Sequence, residues 1–330
     1  MASVQLPSID LSLKDTKYVA AELKTACQQW GFFTVKNHGI PIEDISKVFE
    51  ISDEFFNSPL EEKKKFMFKG GRLHSGYTGH FGEKLDVEHQ RRGDMKESYD
   101  LAGFPHPDAN TNSPVIQKYF IELKAFQREC HCLSLKILDL IAIGFGFPSD
   151  FFSKNHSSSE DILRLLKYSV PEGVERQKDD EDAGAHSDYG SITLLFQKDA
   201  GGLQIRPPQS YNVADWLRVS VDENSVIVNI ADMLQFWTSG RLKSTVHRVR
   251  LDEDVKTRQT IAYFVTPDPE TLLAPVFEKE REKQSEGKED NMETVTAGEW
   301  IEGRLNITYG YGEAPRGYLD SQNGLIGQSS

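Results

Sequence analysis

Seven short runs of Leu, Val, Ile, Thr and aromatic residues crowd the second half of the chain, at 163–170, 191–197, 203–206, 216–221, 226–230, 245–251 and 258–265. Clusters of Gly, Pro, Asn and Asp separate them. Runs this short at such intervals suit the strands of a sandwich or barrel and leave no room for a helical core. The first half reads differently, as mainly helix. Val19, Leu23, Cys27 and Trp30 recur at helical spacing up to Gly31, and Ile42, Ile45, Val48, Phe49 and Phe56 define a second amphipathic helix. Between them Phe32-Phe33-Thr34-Val35 reads as one strand, closed by Asn37-His38-Gly39. Ser58-Pro59-Leu60-Glu61 has the form of a helix start, with a serine cap, proline at the first position and glutamate three residues on. A long third helix is expected from Ser113-Pro114 to near Gly144, with Tyr119, Leu123, Phe126, Cys130, Leu133, Ile137 and Ile141 on its core face. No Pro- or Gly-rich linker divides the halves, so one integrated unit is as consistent with the sequence as two domains.

Composition narrows the function. The chain has 330 residues, 38% of them hydrophobic, enough for a sizeable core without disulfides. Its net charge of −13 argues against duplex nucleic acid or an anionic membrane as partner, since both reward a basic face. The start, Met1-Ala2-Ser3-Val4-Gln5-Leu6-Pro7, shows no signal peptide. The most apolar stretch, 133–147, is interrupted by Lys136 and Asp139 and is short for a bilayer. Three cysteines (Cys27, Cys130, Cys132) make no disulfide framework. These features lead us to expect a soluble cytoplasmic protein, a monomer with an oligomer left open, whose partner is a small molecule, with no nucleic acid and no membrane.

The chemistry concentrates in the β half. His186-Ser187-Asp188 stands just before the run at 191–197. On extended backbone residues i and i+2 share a face, so an imidazole and a carboxylate can converge on one ion. Alone this is weak, because 9 histidines and 51 acidic residues supply one or two such pairs by chance. The other match, His106-Pro107-Asp108, lies in a Pro- and Asn-dense stretch and reads as surface loop. The first match has company. His247 lies within the strand-like Ser244-Thr245-Val246-His247-Arg248-Val249, followed by Arg258-Gln259-Thr260-Ile261-Ala262-Tyr263-Phe264. Alternation puts Arg258, Thr260, Ala262 and Phe264 on one face. A guanidinium and a hydroxyl so placed can grip a carboxylate, either a ligand's or one of the protein's own. Two histidines and one carboxylate form the donor set of non-haem Fe(II) oxygenases, which leaves coordination positions open. A 2-oxo acid can take two of these and O2 another, while the arginine holds its remote carboxylate.

At these residues the sequence resembles the 2-oxoglutarate/Fe(II)-dependent dioxygenases of the isopenicillin N synthase-like family. The resemblance runs through Trp30-Gly31-Phe32-Phe33-Thr34-Val35-Lys36-Asn37-His38-Gly39-Ile40-Pro41, Phe55-Phe56-Asn57-Ser58-Pro59, His186-Ser187-Asp188-Tyr189-Gly190, Gly202-Leu203-Gln204-Ile205, Asn229-Ile230-Ala231-Asp232-Met233-Leu234 and Ser244 to Val249. It implies an α+β, mainly β fold: a double-stranded β-helix (jelly-roll) core with N-terminal and flanking helices. It implies His186, Asp188 and His247 as iron ligands, Arg258 and Thr260 as the 2-oxoglutarate clamp, and Tyr168 as a further contact to that co-substrate. The cofactors implied are Fe(II), 2-oxoglutarate and O2. The reaction implied is hydroxylation, desaturation or ring formation on a small organic metabolite, with release of succinate and CO2. The chain then divides into an N-terminal helical and strand region (1–112), a buttressing helix and connection (113–160), the oxygenase core (161–270) and a polar insertion with the C-terminal segment (271–330). Leu166 stands where plant members usually have asparagine, Ala231 where glycine is usual, and Thr260 where many have serine.

Phe264, one pleat beyond the clamp, reads either as core or as a ring on which substrate stacks. The glycine-rich stretch 70–93, with His74, His80 and His89, reads either as a lid over the site or as a solvated loop. Cys130-His131-Cys132 has metal-binding residue types on a helix, where i and i+2 diverge, and is expected to be structural. Lys63-Lys64-Lys65 reads as a solvated helix face. The run 277–291 is polar throughout, Leu305–Tyr311 resumes apolar character, and the tail after Tyr318 reads as loose. Two other classes remain compatible: an iron/O2 oxidase of the same fold that does not use 2-oxoglutarate, and a non-catalytic jelly-roll metal-binding module.

Overall fold

Along the strands of the second half, neighbouring positions face different environments. In the computed structural model, which describes residues 2–69, 75–102, 112–177, 180–210, 212, 214–277 and 295–309, Leu163 and Leu165, Ile192, Leu194 and Phe196, Val226, Val228 and Ile230, and Ile261, Tyr263 and Val265 all join one large core with the helices. The alternate positions, among them Leu166, Tyr168, Thr193, Leu195, Asn229, Arg258, Ala262 and Phe264, line a pocket on the opposite face. This is period-two patterning with both faces of the sheet covered, one by helices and one by a second sheet.

The larger sheet has eight strands: β2 (Ser8–Asp10), β3 (Phe32–Lys36), β4 (Gly76–Thr78), β5 (Lys96–Ala102), β6 (Ile162–Ser169), β8 (Ile192–Gln197), β11 (Val226–Ile230) and β13 (Thr257–Val265). Their spatial order is β2-β3-β11-β8-β13-β6-β5-β4. The facing sheet is built from β1 (Ser3–Val4), β7 (Ala183–His186), β9 (Leu203–Ile205), β10 (Leu217–Val219) and β12 (His247–Val249), in the order β1-β10-β9-β12-β7. A third, two-stranded sheet pairs β14 (Leu272–Leu273) with β15 (Val295–Thr296). Two facing, mostly antiparallel sheets make the expected jelly-roll. All seven strands expected in the second half are present, several trimmed at their ends. Two small apolar clusters accompany the large core, one of Leu6, Phe32, Leu203, Ile205, Val219 and Ile227 and one of Leu166, Tyr168, Ala183, Val249, Leu251 and Ala262, and both contribute residues to the pocket lining.

Helices α1 (Thr16–Gln29), α2 (Ile42–Phe56) and α5 (Phe120–Phe145) carry the apolar faces read from the sequence, and these pack into the large core. The third helix differs in detail. It opens as α4 (Pro114–Lys118), with Ser113 capping the Ile116 N–H, and breaks at Tyr119 before α5 begins. It then runs past Gly144 and stops at Gly146, whose φ of 81° is the left-handed conformation that ends helices. The capping box at Ser58 is not formed. Pro59 precedes α3 (Leu60–Lys64), and the Ser58 hydroxyl donates back to the Glu54 carbonyl instead.

The mainly helical reading of the first half needs correction at β4 and β5. All seven residues of β5 are buried despite the sequence Lys-Glu-Ser-Tyr-Asp-Leu-Ala, because their charges find partners. Glu97 accepts from Lys63 at 2.5 Å and from the Tyr77 hydroxyl, so Lys63 is not on a solvated face but is a buried tether between α3 and the sheet. In the described part of the stretch 70–93, Gly76, Tyr77 and Thr78 form β4 and Glu83 and Gln90 are buried, while Val87, Glu88, His89 and Arg91 are exposed. A side chain at Gly93 would overlap the Phe81 and Glu83 carbonyls, so this glycine permits a close backbone approach. His80 meets the Ser169 hydroxyl, while His89 is exposed and bonds Asp86. Gly70, Gly71, His74, His106, Asp108, most of the 277–291 run and the tail lie outside the described residues.

Candidate active site

Three side chains meet where the smaller sheet opens toward the pocket. His186 ends β7, His247 begins β12, and the two are antiparallel partners, which brings their rings to 4.3 Å between centroids. Asp188 follows on the turn after β7. Its Oδ1 lies 3.7 Å from His186 Nε2 and 3.6 Å from His247 Nε2, and the three ligand atoms fall within 4.8 Å of one another. The turn is pinned by backbone bonds, from the Asp232 N–H to the Asp188 carbonyl and from the Met233 N–H to the Gly190 carbonyl, both at 2.9 Å.

Every other polar atom of the three is committed. His186 Nδ1 contacts the Gly184 carbonyl at 2.7 Å and His247 Nδ1 the Thr245 carbonyl at 3.1 Å. A carbonyl can only accept, so Nδ1 is the donor in both rings and Nε2 is the atom turned toward Asp188. Asp188 Oδ2 accepts from Thr193 Oγ1 at 2.6 Å and Asn229 Nδ2 at 2.7 Å, two residues that are cross-strand partners on β8 and β11. Only Oδ1 remains directed at the histidines. Phe32 packs edge-on against the His247 ring at 5.3 Å and fixes its plane. Burial, with His247 adding to it, holds His186 well below the usual imidazole range, and so neutral. Burial pushes the Asp188 carboxyl up, but His247 and His186, with the bonds from Thr193 and Asn229, outweigh it and keep the group ionised. Two imidazoles and one carboxylate on one side of an ion suit a divalent metal with open coordination positions.

The two residues expected to form the clamp lie on β13. Arg258 is 2% exposed and Thr260 fully buried. Arg258 Nη2 donates to Gln197 Oε1 at 2.7 Å, and its guanidinium lies 4.8 Å over the Tyr168 ring, its partner in register on β6. Its Nε and Nη1 and the Thr260 hydroxyl are buried with no hydrogen-bond partner. A guanidinium so placed costs several kcal/mol unless an anion meets it. Burial accordingly lowers its proton affinity. Of the two partners open from the sequence, a protein carboxylate is not among the hydrogen bonds of Arg258. The unpaired donors can receive a carboxylate, and Arg258 lines the same cavity as the three-residue group.

His186, Asp188, His247, Arg258, Tyr168 and Phe264 all line one cavity of about 160 Å³ between the sheets. Thr260 is not among its lining residues. Phe264 is only partly buried, with the Arg164 guanidinium 5.4 Å from its ring centre. The sequence reading missed the charged wall beside it. Arg164 pairs with Asp100 through Nε and Nη2 at 2.6 and 2.7 Å, and Lys96 meets Glu83 at 2.9 Å and also pairs with Asp94. Arg164, Lys96 and Glu83 all line the cavity. The signal for Arg164 was present, since Ile162, Arg164, Leu166 and Tyr168 alternate onto one face of β6. Also missed was helix α7 (Ala297–Tyr309), whose Ile301 and Leu305 line the cavity. Thr296 and Glu299 form a reciprocal capping box at its start, a pattern legible as Thr-x-x-Glu. Cys130-His131-Cys132 makes no metal site: Cys130 is buried, Cys132 exposed, and His131 bonds Asp161 at 3.0 Å.

Residues 160–267 match the model of the 2OG-Fe(II) oxygenase superfamily, and residues 6–118 match the N-terminal region of non-haem dioxygenases in morphine synthesis. The chain is 64% identical over 323 residues, 98% of each chain, to the UPF0676 protein C1494.01 of Schizosaccharomyces pombe. It is 32% identical to the 2-oxoglutarate-Fe(II) type oxidoreductase ppzD of Metarhizium rileyi, covering 88% of this chain and 85% of that one. Among solved structures it resembles a full-length Neurospora crassa protein in complex with alpha-KG, with a TM-score of 0.76, 28% identity, and coverage of 91% of this chain and 95% of that one.

Proposed function

Because the chain belongs to the 2OG-Fe(II) oxygenase superfamily, we propose that His186, Asp188 and His247 are its iron ligands, that Arg258 and Thr260 hold the remote carboxylate of 2-oxoglutarate beside Tyr168, and that Phe264 belongs to the substrate subsite. The protein is a 2-oxoglutarate- and Fe(II)-dependent oxygenase acting on small metabolites. When bound, iron, 2-oxoglutarate and O2 couple decarboxylation to succinate and CO2 with oxidation of the substrate.

The observation that carries the site assignment is the pair of orphaned donors on Arg258, which lines the same pocket as the three-ligand set, with the orphaned Thr260 hydroxyl two residues further along β13. The chain's own residues then have separate tasks. Gly184 and Thr245 hold each imidazole proton on Nδ1, which leaves Nε2 as the donor to metal. Thr193 and Asn229 occupy one oxygen of Asp188 and so orient the other. Arg258 supplies the positive charge that fixes the co-substrate's orientation, and the leucine-rich walls between the sheets exclude water from it. Substrate enters on the side of Phe264, where an apolar ring stands beside the Arg164, Glu83 and Lys96 wall. This favours a small organic molecule with one apolar face and one polar edge. Hydroxylation, desaturation and ring formation are all open to such a centre. Cytoplasmic placement is our reading of the acidic, cysteine-poor chain. Among the described residues no single helix is long and apolar enough to cross a membrane.

The test is a metabolite-library screen of the protein reconstituted with Fe(II), 2-oxoglutarate and air, reading succinate. The reading predicts succinate above the unstimulated level with a subset of compounds, and oxidised product from the same compounds. Oxidised product without succinate would instead assign the enzyme to the iron/O2 oxidases that do not use 2-oxoglutarate.

A further inference from the structure

One carboxylate ties both metal-bearing segments together, and its counter-charge comes from the C-terminal helix. Asp232, at the start of α6 (Asp232–Trp237), is buried. Its Oδ2 accepts from the Ser187 hydroxyl at 3.1 Å and its Oδ1 from the Ser244 hydroxyl at 2.6 Å. Ser187 stands between His186 and Asp188, and Ser244 three residues before His247. Arg304 of α7 reaches the same carboxylate, with Nη2 3.2 Å from Oδ2, while its guanidinium lies 4.3 Å over the ring of Tyr189, the residue after Asp188. Ile301 and Leu305, on the same helix face as Arg304, line the substrate cavity, and Trp300 anchors the helix against Phe236 of α6 at 5.5 Å.

We propose that Arg304 is a positioning residue that makes seating of the pocket-walling helix α7 and ordering of the iron-binding turn a single coupled event. The proposal rests on the ligand assignment above. Without the guanidinium, Asp232 is a buried anion lacking its cation, and the serine bonds that brace both ligand segments lose their fixed acceptor. Supporting groups of this kind typically change metal affinity by about 10–100-fold. Linkage then requires the reverse effect: metal that orders the turn also favours the seated helix.

The experiment uses the full chain with Fe(II) alone as probe. Fe(II) affinity is measured under argon by competition with a chromophoric chelator, and hydrogen exchange is followed over residues 297–305 with and without metal. In the wild type, Fe(II) should slow exchange in that helix. In Arg304→Gln the Fe(II) midpoint should rise about 10–100-fold, and exchange in the helix should stop responding to metal. Arg304→Lys keeps the charge, so it should restore much of the affinity; it also gives the same reading at smaller amplitude should the glutamine variant fail to fold. Unchanged Fe(II) affinity in Arg304→Gln, or helix exchange indifferent to Fe(II) in the wild type, overturns the proposal. His247→Ala separates this from a wrong ligand set: equal Fe(II) binding by that variant and the wild type removes the assignment itself, and the proposal with it.

Discussion

A guanidinium at 2% exposure with two unpartnered nitrogens is a poor structural element but a good anion receptor. Arg258→Lys keeps the charge and loses the planar fork, so 2-oxoglutarate binding should weaken by about 1–3 kcal/mol, while Fe(II) binding stays unchanged. Calorimetric titration of the metal-loaded protein with 2-oxoglutarate checks this, and Thr260→Val should cost about 0.5–1.5 kcal/mol in the same assay. Phe264 separates pocket from core. A fully buried phenylalanine would lose about 3–5 kcal/mol of stability on truncation to alanine. Because Phe264 is only partly buried and lines the cavity, Phe264→Ala should fall well short of that in urea unfolding and should lose substrate oxidation while still decarboxylating 2-oxoglutarate. At this scale the sequence was most legible where the information is local. The i, i+2 spacing of His186 and Asp188 belongs to the end of β7 and the turn that follows it, and the alternation of Arg258, Thr260 and Phe264 belongs to β13 alone. Asn229 and Thr193 were not assigned roles, because their meeting with Asp188 depends on the register between β8 and β11, which no local pattern carries.

Elements were legible in proportion to how apolar they are. The amphipathic helices and the seven strands of the second half have faces that bury hydrocarbon, and hydrocarbon periodicity can be read directly. Strand β5 cannot be read that way, because its burial depends on charges matched from elsewhere: Lys63 and Tyr77 for Glu97, Arg164 for Asp100, Glu83 and Asp94 for Lys96. The prediction follows from that dependence. Glu97→Ala strands a buried ammonium, since Lys63 and Glu97 are each about 6% exposed, and should cost about 3–5 kcal/mol. The double variant Lys63→Met, Glu97→Leu removes both charges and should recover most of the loss. Chemical denaturation of the singles and the double gives the coupling. Strict additivity would mean that the pair does not hold α3 to the sheet. Helix α7 was missed for a different reason. Its capping box was readable, but it follows the polar run 277–291, and its apolar residues face a cavity and not a continuous core.

Across the whole molecule the N-terminal strands β2 and β3 sit in the same sheet as β11, β8, β13 and β6, so the first and second halves share one set of hydrogen bonds. Stability should therefore respond to buried groups far from the metal. His156 is 3% exposed, bonded through Nδ1 to the Phe152 carbonyl and through Nε2 to the Ser191 hydroxyl, each at 2.9 Å. Burial holds it below its ordinary value of 6.5. Below that pH the unfolded chain binds a proton that the folded chain refuses, so the contribution is fully present above about pH 6.5 and is lost as pH falls, by at most about 1.4 kcal/mol per pH unit. Asp94 and Asp232 shift the opposite way under burial. The imidazole is therefore read as the difference in slope between the metal-free wild type and His156→Gln in urea midpoints from pH 7.5 to 5.5. The variant should have the shallower slope. The central claim is that both sheets converge on one centre, a three-ligand metal position and a buried anion clamp that share a single co-substrate. Anaerobic titration of the Fe(II) protein with 2-oxoglutarate, followed by the visible metal-to-ligand charge-transfer band, reads both parts at once. The account predicts a saturable band in the wild type, its shift to higher 2-oxoglutarate concentration in Arg258→Lys, and its absence in His247→Ala. A band of equal strength and midpoint in all three proteins would contradict it.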